Sequence, residues 1–78
     1  MRNQFRVTEQ NNITGKFEGG KLFSTLEEAI AFIAEDACFD ANGKDKVEVV
    51  RDELTTPNEQ GVMFFEKQDN SYAIEVLN

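Results

Sequence analysis

The stretch Ser24-Thr25-Leu26-Glu27-Glu28-Ala29-Ile30-Ala31-Phe32-Ile33-Ala34-Glu35-Asp36-Ala37-Cys38-Phe39 decides the fold. Ser24 to Glu27 reads as a capping box: the serine oxygen accepts from the Glu27 amide, and the Glu27 side chain reaches back to the cap. Glu27 and Glu28 stand in the first turn, where negative charge complements the helix dipole. Leu26, Ala29, Ile30, Ile33 and Ala37 recur at helical spacing and make one apolar stripe. Asn42-Gly43 offers the left-handed residue that closes such a helix. The pattern predicts one helix over about 25–39, whose stripe needs a surface to cover.

Strands on both sides supply that surface. Upstream, Gln4-Phe5-Arg6-Val7-Thr8 alternates apolar and polar as a half-buried strand does. Gln10-Asn11-Asn12 is turn chemistry. Ile13 to Glu18 reads as a weaker second strand, interrupted by Gly15. Gly19-Gly20 suits a type I′ hairpin turn, which returns Lys21-Leu22-Phe23 as a short third strand with Lys21 opposite Glu18. Downstream, Lys46-Val47-Glu48-Val49-Val50-Arg51 reads as a strand from its β-branched residues and alternation. Thr55 to Gly61 is loop, since Pro57 bars a central strand there.

Val62 to Lys67 and Ser71 to Leu77 read as two further strands joined around Asp69-Asn70. One register pairs Phe65 with Ile74 and Met63 with Val76. The other pairs Phe64 with Ile74 and Val62 with Val76, and both bring apolar residues together. The expected fold is therefore α+β: a four- or five-stranded antiparallel sheet with one helix packed on one face, in the order β-β-(β)-α-β-β-β. Its expected core is Leu26, Ile30, Ile33 and Ala37 with Phe5, Phe17, Val47, Val49, Ile74 and Val76.

Composition bounds the function. The chain has 78 residues, which allows a single small domain over 1–78. A hydrophobic content of 40% with seven Phe is enough for a folded core. No apolar run approaches the ~18 residues of a membrane span, and Met1-Arg2-Asn3-Gln4 opens no signal peptide. Cys38 has no second cysteine to pair with, which points to a reducing, cytoplasmic setting. There is no histidine, so histidine-based triads and Cys–His dyads are excluded. One thiol cannot complete a structural zinc site. Fifteen acids stand against eight bases, which makes direct nucleic-acid binding a poor fit. The reading is a non-enzyme with no cofactor, metal, membrane or nucleic-acid partner. A cleft lined by close carboxylates would argue for an enzyme instead.

Four features compete with bland explanations. Phe32 and Phe39 share a helix face set about 120° from the stripe. Either both rings fold over the sheet edge or the Gly19-Gly20 turn, or they form a protein-contact patch with Glu28, Glu35 and Asp36. That patch would serve a protein partner or a homodimer. Glu27, Glu28, Glu35, Asp36 and Asp40 occur between Leu22 and Gly43 without a base. They are either a solvated face or an imitation of a phosphate backbone. Asp40 to Asp45 has calcium-loop character, but Gly43 and Lys44 fall where an EF-hand does not place them. Cys38, between Asp36 and Asp40 at a helix C-terminus, is a poor nucleophile.

In size, acidity and element order the chain is similar to small inhibitors carried by phages, some anti-CRISPR proteins among them. That likeness implies a bacterial or phage setting. It also implies, as the alternative to a protein-interaction module, an inhibitor whose acidic helix mimics nucleic acid and blocks a nucleic-acid-binding protein.

Overall fold

The computed structural model describes residues 4–37, 39–67 and 69–77. It is an α+β fold: strands β1 (Gln4–Asn11) and β2 (Phe17–Phe23), helices α1 (Leu26–Asp36) and α2 (Lys46–Glu53), then strands β3 (Val62–Lys67) and β4 (Asn70–Leu77). The four strands form one antiparallel sheet in the order β2-β1-β4-β3. Both helices lie on one face of it. Val7, Met63, Phe65, Tyr72 and Ile74 of the sheet meet Ala29, Ile30, Ile33, Ala34 and Val50 of the helices in the buried core. No helix among the described residues is long and apolar enough to cross a membrane.

α1 begins one residue later than the capping box at Ser24 predicts. Thr25 is the cap: its Oγ1 accepts from the Glu28 amide at 3.1 Å, and Glu28 Oε1 accepts from the Thr25 amide at 3.1 Å. Both Ser24-x-x-Glu27 and Thr25-x-x-Glu28 satisfy the motif, and the second puts Ala29, Ile30, Ile33 and Ala34 onto the sheet. The helix also ends earlier, at Asp36 with Ala37 as its C-cap. Asn42 and Gly43, both left-handed at φ 54° and 83°, do not close it but form the turn into α2.

The segment expected as a strand over 46–51 is the helix α2. Asp45 caps it, accepting from the Val47 amide at 2.9 Å. Val47, Val50 and Leu54 recur at helical as well as at mixed spacing, and only the helix sends Val50 (0% exposed) against α1 while Arg51 reaches Glu27. A fifth strand at the β3 edge would find that edge closed. Phe64 N–H donates to Thr55 Oγ1 and Thr55 N–H to the Phe64 carbonyl, both at 2.9 Å. Asn58 does the same for Val62, with its Oδ1 accepting from the Val62 amide at 3.0 Å. Tertiary demand has overridden β-propensity here.

Gly19-Gly20 is a bulge inside β2 rather than a hairpin turn, so no separate third strand exists over 21–23. Val7 pairs with Lys21 and Glu9 with Glu18, leaving two glycines opposite Thr8. Gly20 takes φ +87°, and a Cβ on Gly19 would lie 2.9 Å from Thr8 Cγ2. The β3–β4 pairing sets Met63 against Ile74 and Phe65 against Tyr72, a register matching neither expected one. It differs by two residues from the first, so Met63, Phe65, Ile74 and Val76 still share the core face. The second expected register would have sent Phe64 inward, and that ring is exposed.

Of the expected core, Ile30, Ile33, Ala37 and Ile74 are buried, while Leu26, Phe5, Val47, Val49 and Val76 are half-buried around it. Phe17 is the error, 73% exposed on the far side of the sheet. Its pairing partner is Gln10, which fixes it to the face that no helix covers.

Candidate functional site

The predicted patch does not hold together as one surface. Phe39 is buried, 3% exposed, with its ring centroid 6.2 Å from Phe65. The Nζ atoms of Lys46 and Lys67 sit 5.7 and 5.6 Å from its centroid, so two lysine ammonium groups lie over the ring. α1 has already ended at Asp36, so residues 32 and 39 share no helix face. Phe32 is half-buried, stacked 5.4 Å from Phe23 with Lys21 Nζ 5.0 Å from its centroid. Glu28 belongs to the capping box, and Glu35 is exposed on the outer side of α1. Cys38 lies outside the described residues.

What sequence reading missed is where Asp36 goes. It faces a cleft between the C-terminal end of α1 and the β1–β2 hairpin, a space of about 300 Å³ lined by Val7, Glu9, Glu18, Gly19, Lys21, Phe32 and Asp36. The same three carboxylates line an adjoining hollow under the hairpin loop with Asn11, Thr14 and Lys16. Tyr72, buried in the sheet, donates its hydroxyl to Asp36 Oδ2 at 2.8 Å. Glu9 hydrogen-bonds Asp36, and Glu18 stands opposite Glu9 on β2. Loss of water, the shared hydrogen bond and the nearby charges of Asp36 and Glu18 push Glu9 up to about 7. Glu9 therefore exchanges its proton near neutral pH, beside the Asp36 side chain with which it shares a hydrogen bond. Among the described residues no group of three or more acidic, cysteine or histidine side chains is arranged to hold a metal ion. No motif announces this cleft, because Glu9, Glu18 and Asp36 come from three separate elements.

The second candidate is the open face of the sheet. Strand alternation turns Arg6, Thr8 and Gln10 of β1 outward, together with Ser71, Ala73 and Glu75 of β4. Phe64 on β3 and Phe17 and Leu22 on β2 frame them, exposed by 49%, 73% and 53%. Between the rings a shallow hollow of about 240 Å³ is floored by Thr8 and Ala73 and walled by Phe17 and Phe64. Arg6 is tied to Glu75, with Nε donating to Oε1 at 3.0 Å, which neutralises the centre of this face. Small residues in the middle and large apolar ones at the rims leave apolar surface that no element among the described residues covers. A sequence signal existed: Phe17, Leu22 and Phe64 fall out of phase with the core residues of their own strands once the bulge is recognised.

The chain matches no family model, no curated protein and no solved structure.

Proposed function

We propose that this chain is a small non-enzymatic protein-interaction module whose partner docks on the open face of the sheet. The carrying observation is the set of three large apolar side chains, Phe17, Leu22 and Phe64, exposed on a sheet face whose opposite side already holds both helices. The unpaired cysteine and the acidic balance support a cytoplasmic setting and a protein rather than a nucleic-acid partner. The acidic helix supports the nucleic-acid-mimic reading less well: Glu27 is tied to Arg51, Glu28 to the cap and Asp36 to Tyr72.

Phe64→Ser is the discriminating variant. Phe64 is half in water, so its loss should shift melting little while removing any partner captured by the wild type. A helix-face contact would instead vanish in Phe32→Ser and survive in Phe64→Ser. Phosphate mimicry would weaken steeply with rising salt, whereas docking on an apolar sheet face would respond little.

The carboxylate cleft supports a second reading, proton-transfer catalysis, because an acid titrating near neutral pH beside further carboxyl side chains suits general acid–base work. Its test is turnover of ester or glycoside substrates that disappears in Glu9→Gln.

A further inference from the structure

The two edges of the sheet are unlike each other. The outer edge of β3 is closed by Thr55 and Asn58, which satisfy the backbone of Phe64 and Val62 from within the chain. The outer edge of β2 has no such cover: among the described residues, no backbone group of any other element than β1 pairs with it. Every residue of β2 but Phe23 is exposed.

An open edge strand is a template for another strand, and the order of side chains along β2 says which strand fits. From the geometry of that edge we infer that two copies of this chain join β2 to β2, antiparallel about a two-fold axis between Gly19 and Gly20, into one eight-stranded sheet. In this register Gly19 faces Gly20, Glu18 faces Lys21 and Phe17 faces Leu22, each pair occurring twice by symmetry. Opposite charges meet twice, exposed apolar side chains meet twice, and the point of closest approach carries no side chain.

The bulge is what makes the register possible. In a regular strand Glu18 and Lys21 project from opposite faces, and a copy paired in this way would set each against a side chain on the wrong side. The extra residue reverses the phase. Glu18 pairs with Glu9 and Lys21 with Val7, both on the helix side of β1, while Phe17 and Leu22 pair with Gln10 and Arg6 on the open side. Opposite residues in the joined strands therefore point the same way. A bulge and a lysine on an edge ordinarily discourage pairing, but here the lysine meets an acid of the second copy. Within one chain the cross-strand neighbour of Glu18 is another carboxyl side chain, Glu9, so the ladder itself sets no cation opposite Glu18, and the incoming Lys21 supplies one.

This inference goes beyond the docking proposal and does not rest on it: joining the β2 edges leaves Phe64 and the β3 side of the open face untouched. The experiment is sedimentation equilibrium on the full chain over about 10 µM to 1 mM, a range that brackets weak strand-to-strand association. The wild type should show a concentration-dependent dimer. Lys21→Glu and Glu18→Lys, each placing two like charges opposite one another, should each lose about tenfold or more in dimer affinity. An equimolar mixture of the two variants should regain it, because each copy then supplies the charge the other needs. Recovery in the mixture also shows that both variants fold. A wild type that stays monomeric throughout, a dimer unchanged in both single variants, or a mixture that stays monomeric while both variants melt cooperatively would overturn the inference. So would a dimer lost in Phe64→Ser, which would place the contact on the open face, or one lost in Phe32→Ser alone, which would place it on the helix.

Discussion

Glu9 shows how much one side chain can report about this fold. In the unfolded chain it titrates near 4.5, and in the folded one it is pushed up to about 7 by lost hydration and by Asp36 and Glu18. Between those values the folded state binds the extra proton, so stability falls as pH rises. The favourable share is fully present below about 4.5 and is gone above about 7. Glu9→Gln keeps a donor toward Asp36 and removes the charge. The variant should match the wild type near pH 4.5 and melt higher at pH 8. A tenfold change in proton affinity corresponds to about 1.4 kcal/mol, and water reaching the cleft screens part of the effect, so the gain should be on the order of 1–2 kcal/mol. Thermal melts of both proteins across this pH range check it, and parallel profiles would refute it.

At the scale of elements, the two helices are set by caps as much as by stripes. Thr25 and Asp45 each accept a backbone amide that would otherwise have no partner, from Glu28 and from Val47. Thr25→Ala and Asp45→Ala should each cost about 1 kcal/mol, whereas Ser24→Ala should stay within about 0.5 kcal/mol. Chemical denaturation resolves differences of that size. A large loss in Ser24→Ala with none in Thr25→Ala would restore the earlier helix start. The edges are elements of the same kind: β3 is finished by the Thr55–Asn58 loop, while β2 carries the bulge and is left for something else to finish.

Taken whole, the molecule is one core between a four-stranded sheet and two short helices, with little to spare. Ile33 sits at its centre, 0% exposed, and Ile33→Ala should cost about 2–5 kcal/mol, a large part of the stability a domain of this size has. Phe39→Ala should cost about 3–5 kcal/mol, since that ring is buried, packs on Phe65 and lies under two lysine ammonium groups. Both should lower a single cooperative transition rather than split it. A Phe39→Ala variant with unchanged melting would return Phe39 to the surface.

Local pattern alone determined the α+β class, α1 with its apolar stripe, and the strands β1, β3 and β4, because side-chain period and capping chemistry act over a few neighbouring residues. The open sheet face was half legible, since alternation names outward residues only after register and bulge are known. The tertiary structure decided the rest. Lys46 to Glu53 became a helix because Val50 and Arg51 find α1 and Glu27 that way. Gly19-Gly20 became a bulge because β2 runs on past it along β1. Glu9, Glu18 and Asp36 met in one cleft because a hairpin and a helix end cross there. Contacts between residues distant in sequence have no local signature, and a pattern compatible with two structures is resolved only by what lies next to it in space.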